Sequence, residues 1–82
     1  MRIDVLLFGP QAELAQADRV AVQVDPADAT AGQVLMELCV AAPALAPSIE
    51  SSRLAVNHAY AASNDTIASG DEVALIGMVS GG

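Results

Sequence analysis

Clusters of β-forming residues, separated by turn-forming pairs, predict five strands along this chain. The second cluster shows the pattern most clearly, because valine occupies every second position from Val20 to Val24 and would face one side of a strand. Gly9-Pro10 ends the first cluster, and Asn57-His58 predicts a turn after the third. We predict the strands at residues 2–9, 19–24, 54–56, 60–62 and 72–78.

Helical spacing of apolar residues predicts one main helix between the second and third strands. Thr30 is followed three positions later by Gln33, the capping-box pattern that starts a helix. We expect Pro43 and Pro47 to end it, because proline disrupts a helix interior. Residues 11–17 are predicted to form a connector that can include one helical turn. The apolar stripe of the main helix comprises Ala31, Val34, Leu35, Leu38 and Ala42.

This order of elements, ββαβββ, predicts a ubiquitin-like β-grasp, an α+β fold with a mixed sheet and one main crossing helix. Residues 1–82 would form a single domain, in which the helical crossover makes the first and last strands parallel central neighbours. Alternation along those two strands then assigns the faces of the sheet. The face under the helix is predicted to receive Ile3, Val5, Leu7, Val73 and Leu75.

The opposite face of the two central strands is predicted to bind protein partners. Apolar residues there have no place in the core, and contiguous exposed apolar surface usually marks an interface. In the alternative interpretation, the connector around Leu14 covers these residues. The predicted partner-binding residues are Leu6, Phe8, Ile76 and Met78, with Ala74 on the same face.

The chain ends with Val79, Ser80, Gly81 and Gly82, a short tail that is predicted to protrude from the domain. The two glycines carry no Cβ, so their backbone can enter a channel that excludes every side chain. The carboxylate of Gly82 could then be activated by ATP as an acyl-adenylate and passed to a nucleophile. The alternative is a frayed end, because chain termini are commonly disordered.

The charge balance limits the classes of partner and the location. Ten acidic residues and three arginines give a net charge of −7, and the chain has no lysine. Such a surface repels phosphate backbones, so we expect no nucleic-acid binding, and protein partners with basic surfaces are favoured. No apolar run approaches the roughly 18 residues that a membrane span needs. Because Asp4 interrupts the first apolar segment, we expect no signal peptide and a cytoplasmic protein.

The remaining reactive residues are predicted to be structural. The single cysteine, Cys39, excludes an internal disulfide and a cysteine-rich metal site, and we expect it to be a small buried hydrophobic residue. His58 has no second histidine with which to share a metal, so a turn position is favoured. Asp71 and Glu72 are adjacent, so in a strand they would point to opposite faces. We expect no metal site, and no cofactor bound by this chain alone.

Four sequence blocks carry a resemblance to a known family. In order along the chain they are Gln11-Ala12-Glu13-Leu14, Leu54-Ala55-Val56-Asn57, Gly70-Asp71-Glu72-Val73 and Val79-Ser80-Gly81-Gly82. With these blocks the chain resembles the small sulfur-carrier subunit of molybdopterin synthase over nearly its whole length. It differs in having Ala12 where members often carry arginine. It also has Gly77-Met78 where they often carry two prolines, a change that we expect to loosen the approach to the tail.

The resemblance implies a defined chemistry at Gly82. An E1-like, ATP-using enzyme would adenylate the Gly82 carboxylate, and sulfur would replace one oxygen to give a thiocarboxylate. The tail would then insert into the large catalytic subunit of molybdopterin synthase. There the sulfur would pass to a cyclic pyranopterin phosphate and build the dithiolene of molybdopterin. ATP would be held by the activating enzyme, and this chain would be a sulfur donor without an active site of its own.

Two other interpretations stay open from the sequence. The chain could carry sulfur for thiamine, cysteine or tRNA thiolation, although its first-strand loop is longer than expected for the thiamine carriers. It could also be a ubiquitin-like protein tag, or an interaction module whose Gly-Gly end is incidental. A thiocarboxylate would support a carrier, whereas isopeptide-linked targets would support a tag.

Overall fold

A five-stranded sheet packed against helices is formed by residues 1–78, the part of the chain that the computed structural model describes. All five predicted strands are present, most of them shorter than predicted. The strands are β1 (Arg2–Leu6), β2 (Arg19–Gln23), β3 (Ser52–Val56), β4 (Ala59–Tyr60) and β5 (Val73–Gly77). The helices are α1 (Gly9–Ala15), α2 (Ala31–Ala41) and α3 (Ala46–Ile49), with 3₁₀ turns at Pro26–Asp28 and Pro43–Leu45.

The order of strands across the sheet is β2-β1-β5-β3-β4. β1 and β5 pair in parallel at its centre, with Val5 opposite Val73 and Leu6 opposite Ala74. The other neighbouring strands are antiparallel. A parallel pair needs a long crossover, and here the crossover includes α2. The predicted ubiquitin-like β-grasp, with the first and last strands as central neighbours, is confirmed.

The core lies between the sheet and α2. Ile3, Val5 and Leu7 of the first segment are at most 5% exposed, and Val73 and Leu75 of β5 are at most 1% exposed. The predicted apolar stripe of α2 meets them, with Leu35 and Ala42 at its partly buried margin. The fully buried side chains that α2 contributes are those of Ala31, Val34 and Leu38. Strand alternation therefore assigned the core face correctly.

Both ends of α2 agree with the prediction, with two differences in detail. Thr30 caps the helix, because its Oγ1 accepts a hydrogen bond from the Gln33 backbone N–H at 3.2 Å. The Gln33 side chain donates to Glu37 at 3.3 Å instead of returning to the cap, so only half of the capping box forms. α2 ends two residues before Pro43, yet Pro43 and Pro47 each lie in the first turn of a short helical segment. A first turn tolerates proline because its N–H groups have no partner within the helix.

The connector after β1 differs from the prediction, because it forms the helix α1. β1 ends at Leu6, and Gly9 turns the chain with a φ of +52°, which glycine adopts without a Cβ penalty. Pro10 follows in the first helical turn, where its fixed φ is favourable. The helix ends at Ala15, and the following residue, Gln16, caps it with a left-handed backbone. Gly9-Pro10 therefore begins a helix as well as ending the strand segment.

A two-residue turn joins β3 to β4, as predicted. Asn57 and His58 have φ values of +51° and +70°, and a tight hairpin turn of this kind needs positive φ at both positions. The Asn57 side chain also ties the turn to the residues before β5. Its oxygen accepts from the Glu72 backbone N–H at 2.9 Å, and its amide donates to the Asp71 carboxylate at 3.0 Å. The hairpin and the start of β5 are thus fixed together.

Candidate functional site

The predicted partner-binding residues lie on the face of the sheet that points away from α2, which we call the outer face. Phe8 is 55% exposed and Met78 39% exposed, whereas Leu6 and Ile76 are half-buried. Leu14 belongs to α1, which packs against the turn that follows α2 and leaves Leu14 itself exposed. The alternative in which the segment around Leu14 covers Phe8 is therefore wrong. Partner binding by these residues stays a prediction.

A row of residues across four strands shapes part of the outer face into a groove. Strand pairing aligns Leu6, Ala74, Ala55 and Tyr60, on β1, β5, β3 and β4 in turn. The two alanines in the middle are small and the residues at the ends are large, so the surface is concave. We call this concavity the outer groove; its volume is about 420 Å³, and its other lining residues are Phe8, His58, Glu72 and Ile76.

Charged side chains border the outer groove. Near the start of β5, the Glu72 carboxylate lies 2.8 Å from Nε2 of His58, and both side chains are exposed. Arg53 stands over the ring of Tyr60, with its guanidinium carbon 5.6 Å from the ring centroid, within the range of a cation–π contact. Arg53 is also opposite Ile76 in the pairing of β3 with β5. An apolar floor with a charged rim suits an apolar side chain of a partner protein.

Asp71 lies beside the outer groove and has a structural role. Its carboxylate accepts hydrogen bonds from the Ala68 backbone N–H at 2.8 Å and from the Asn57 amide at 3.0 Å. These bonds, the Ala68 bond foremost, hold the pKa of Asp71 below its ordinary value of 3.8. Their contribution to stability is therefore present above that pH and is lost as the pH falls through the lowered pKa. Both residues precede β5, and Glu72 contacts His58 instead. That Asp71 and Glu72 do not share a substrate stays a prediction.

Hydrogen bonds and side-chain contacts connect the end of β5, where the sequence has Gly77-Met78, to the neighbouring elements. The Met78 backbone N–H donates to the Ser51 carbonyl at 2.7 Å. Gly77 is opposite Ser52 on β3 and lies against the side chain of Gln11. A Cβ added at Gly77 would lie 3.2 Å from Cδ and Oε1 of Gln11 and closer still to Nε2. Gln11 is buried, and its Nε2 donates to the Ser52 hydroxyl at 3.4 Å. These contacts extend to Met78, and the effect of Gly77-Met78 on the path of the tail stays a prediction.

Three residues of this region were not predicted from the sequence as parts of the site. Tyr60 and Arg53 border the outer groove. Counting outward along both strands from the two-residue turn would have placed Tyr60 opposite Ala55. Gln11 is the third, and the available signal is indirect. Gly77 occupies an inward position of β5, where alternation calls for a side chain, so another residue must fill that space.

The predicted tail residues Val79, Ser80, Gly81 and Gly82 lie outside the described residues, so their roles stay predictions. Among residues 1–78, no three side chains of the types His, Cys, Asp and Glu come together as a metal-ligand set. Cys39 is half-buried, less than the sequence indicated. Within the same residues, no single helix is long and apolar enough to cross a membrane. One bent pair, Ala31–Ala41 with Pro43–Ile49, passes on length and composition alone, with a bend of 116°.

Comparison with known proteins gives one family and several solved structures. The model of the ThiS family matches residues 5–82. SAMP1 from Haloferax volcanii is 36% identical, with a TM-score of 0.84 and a match that covers 100% of both chains. The putative molybdopterin converting factor subunit 1 from Pyrococcus furiosus is 17% identical, with a TM-score of 0.82 and coverage of 96% of this chain and 99% of that one.

A third structure contains two proteins. It is the complex of subunits 1 and 2 of the molybdopterin-converting factor from Helicobacter pylori, and the matched chain is 19% identical with a TM-score of 0.67. The match covers 100% of both chains. At identities of 17% and 19%, the two converting factors show a shared fold and no more.

Proposed function

Because this chain belongs to the ThiS family of ubiquitin-like sulfur carriers, we propose that it carries sulfur on Gly82 for molybdopterin synthesis. In this proposal, an E1-like enzyme binds ATP, and the Gly82 carboxylate attacks the α-phosphorus. An acyl-adenylate forms and pyrophosphate leaves. A sulfide-level donor then displaces AMP and leaves a thiocarboxylate. The chain supplies the acyl group and a docking surface, and it binds no cofactor of its own.

The proposed recipient is the large catalytic subunit of molybdopterin synthase, which would transfer the sulfur to a cyclic pyranopterin phosphate in the cytoplasm. Two observations support this destination. The four sequence blocks resemble the small subunit of that enzyme. The fold is also shared with molybdopterin converting factor subunit 1, which in Helicobacter pylori forms a complex with subunit 2.

The observation that carries the proposal is the short sequence distance between the outer groove and Gly82. Ile76 lines the groove and precedes Gly82 by six residues. An extended residue spans about 3.3–3.6 Å, so six residues reach at most about 20–22 Å. A partner seated in the outer groove therefore meets the Gly82 carboxylate within a bounded volume. Such confinement raises the effective concentration of the reacting group.

Mass spectrometry of the protein purified from its own host tests the proposal. We expect an intact species in which one sulfur replaces one oxygen at Gly82. Deletion of Gly82 should abolish both this species and molybdopterin formation while the circular dichroism spectrum stays unchanged. Gly81→Ala retains the carboxylate but adds a Cβ, so it should keep the fold and lose most activity. Full molybdopterin formation by the chain without Gly82 would contradict the proposal.

A second candidate function is protein modification. It is favoured by 36% identity over the full length to SAMP1, a small archaeal modifier protein. In that function the activated Gly82 carboxylate would form an isopeptide bond with a lysine of a target. Because the chain has no lysine, a second copy offers no lysine amine as an acceptor. In the same mass-spectrometric experiment, isopeptide-linked targets without a thiocarboxylate would favour this function over sulfur transfer to molybdopterin.

A further inference from the structure

All three arginines of the chain lie on the outer face. Arg19 is paired with Leu6 across β1 and β2, and Arg53 with Ile76 across β3 and β5; paired residues share a face of the sheet. Arg2 lies on the same face by alternation along β1. With no lysine present, these are the only strongly basic side chains in the protein. The basic side chains are therefore confined to the face that contains the outer groove.

Most of the acidic residues, in contrast, lie away from the strands of the outer face. Of the ten, Asp4 stands on the outer face by alternation along β1, and Glu72 lines the outer groove. Asp71 lies beside the groove, and ten minus these three leaves seven, which lie on helices, turns and loops elsewhere in the chain. The outer face and its border thus have three positive and three negative side chains, in a protein whose net charge is −7. The negative net charge of the whole protein therefore does not describe the charge of this face.

Two of the arginines flank the outer groove. Arg19 is beside Leu6, which forms one wall, and Arg53 stands over Tyr60, which forms the other. Among residues 1–78, neither arginine forms an ion pair with a carboxylate. Arg2, at the start of β1, does form one: its Nε lies 3.0 Å from a carboxylate oxygen of Asp4. The groove is therefore bordered by two guanidinium groups that can bind carboxylates from outside.

We propose that the outer groove docks a partner protein through an apolar side chain that has carboxylates on both sides. The apolar side chain enters over Ala55 and Ala74, and the carboxylates meet Arg19 and Arg53. A planar guanidinium binds a carboxylate through two parallel hydrogen bonds, which fixes orientation as well as adding affinity. This inference refines the proposed function, on which it rests for the role of the outer face in docking.

Screening explains why the local charges decide binding at this face. The Debye length at physiological ionic strength is about 8 Å, and exposed charges farther apart than this interact weakly. The domain measures 18 Å along its shortest axis, so acidic residues on the far side of the domain are screened from the outer groove. A partner selected by the net charge would be basic. A partner selected by the outer groove presents acidic groups.

Charge-reversal variants distinguish a partner selected by the net charge of the protein from a partner selected by the arginines of the outer groove. Arg19→Glu and Arg53→Glu change the net charge by the same amount as Arg2→Glu, which serves as the matched control away from the groove. The readout is ATP–pyrophosphate exchange catalysed by the E1-like enzyme of the same host at low ionic strength. We expect a KM at least tenfold higher for each of the two groove variants, and less than twofold higher for Arg2→Glu, with kcat unchanged. In 0.5 M salt the differences should shrink. Equal changes in all three variants, or a lower KM, would overturn the inference.

A peptide titration decides the same point without any assumption about the reaction. The probes are two acetylated, amidated pentapeptides, Glu-Glu-Leu-Glu-Glu and Lys-Lys-Leu-Lys-Lys, followed by ¹⁵N chemical shifts. We expect the acidic peptide to shift the amides of Leu6, Ala55 and Ala74 at concentrations at which the basic peptide does not. Stronger shifts of these amides by the basic peptide would refute the inference. Absence of exchange with unmodified protein would count against the proposed function alone, because the titration would still give its result.

Discussion

Leu75 and Ile76 are neighbours on β5, yet they belong to different regions of the molecule. Leu75 points towards α2 and is completely buried. Ile76 lines the outer groove and is half-buried. The same division holds on the first segment, where Leu7 is 2% exposed and Phe8 is 55% exposed. The residue types are equally apolar on the two faces, so what differs is whether the protein itself covers them.

Because of this difference, the two faces of β1 and β5 are expected to serve different purposes: the core face stabilises the fold, and the outer face is proposed to bind a partner. Burying a large apolar side chain contributes about 1.5–3 kcal/mol relative to leaving it exposed. On the core face this free energy stabilises the folded domain. On the outer face much of it would be released only in the proposed binding of a partner to the groove. Substitutions on the two faces should therefore change different measured quantities.

The largest effect is expected from Leu75→Ala on the core face. Removing a buried leucine side chain leaves a cavity and lowers the free energy of unfolding by about 2–5 kcal/mol. Ile76→Ala is the matched control, because it removes an isomeric side chain from the adjacent residue on the outer face. Its loss should be less than half as large. Urea denaturation measures both, and equal losses would show that the two faces do not differ in this way.

The next effect is expected from Phe8→Glu on the outer face. Losing this anchor and placing a carboxylate at the groove should weaken binding of the large subunit by tens-fold or more, about 1.5–3 kcal/mol. The melting temperature should change little, because Phe8 is 55% exposed. Met36→Glu provides the control, since Met36 is 64% exposed on α2, away from the groove. Calorimetric titration measures the affinities. If Phe8→Glu instead unfolds the protein and spares binding, Phe8 belongs to the core.

The smallest effect on stability is expected from Gly77→Ala, at the end of the core face of β5. An added Cβ must displace the amide of Gln11 and break its bond to Ser52. That amide is the far end of a flexible side chain, so Gly77→Ala should lower stability by only about 0.5–1.5 kcal/mol. In a Gln11→Ala background the same exchange should have almost no effect. Thermal denaturation of the unmodified protein, the two single variants and the double variant gives the coupling free energy between the two positions. Strictly additive losses of stability would show that Gln11 and Gly77 do not interact.

Much of the fold could be predicted because local patterns and tertiary packing agree. Alternation along the first segment assigned Val5 to the core and Phe8 to the outer face. The two-residue turn at Asn57-His58 and the helix cap at Thr30 each depend on chemistry within a few residues. In each of these cases the structure depends on residues that are close in sequence, or on the alternation of side chains between the two faces of a strand.

What could not be predicted depends on contacts between distant residues. Gly9-Pro10 is compatible both with a loop and with the first turn of a helix, and packing of α1 against the turn after α2 selects the helix. Gln11 is a polar residue that becomes buried because Gly77, far along the chain, leaves space for it. The charge asymmetry was hidden for the same reason, because Arg19 and Arg53 share a face only through strand pairing.

The central position of β5 also has a mechanical consequence. This strand is hydrogen-bonded to β1 on one side and to β3 on the other, and Met78 adds a bond to Ser51 at its end. A pull applied at Met78 along the axis of β5 loads its bonds to both neighbours in shear, so they break together rather than one by one. Under such a load, survival of the domain is governed by its rate of unfolding. The central position of β5 therefore makes the sheet resist a load of this direction through two neighbouring strands at once.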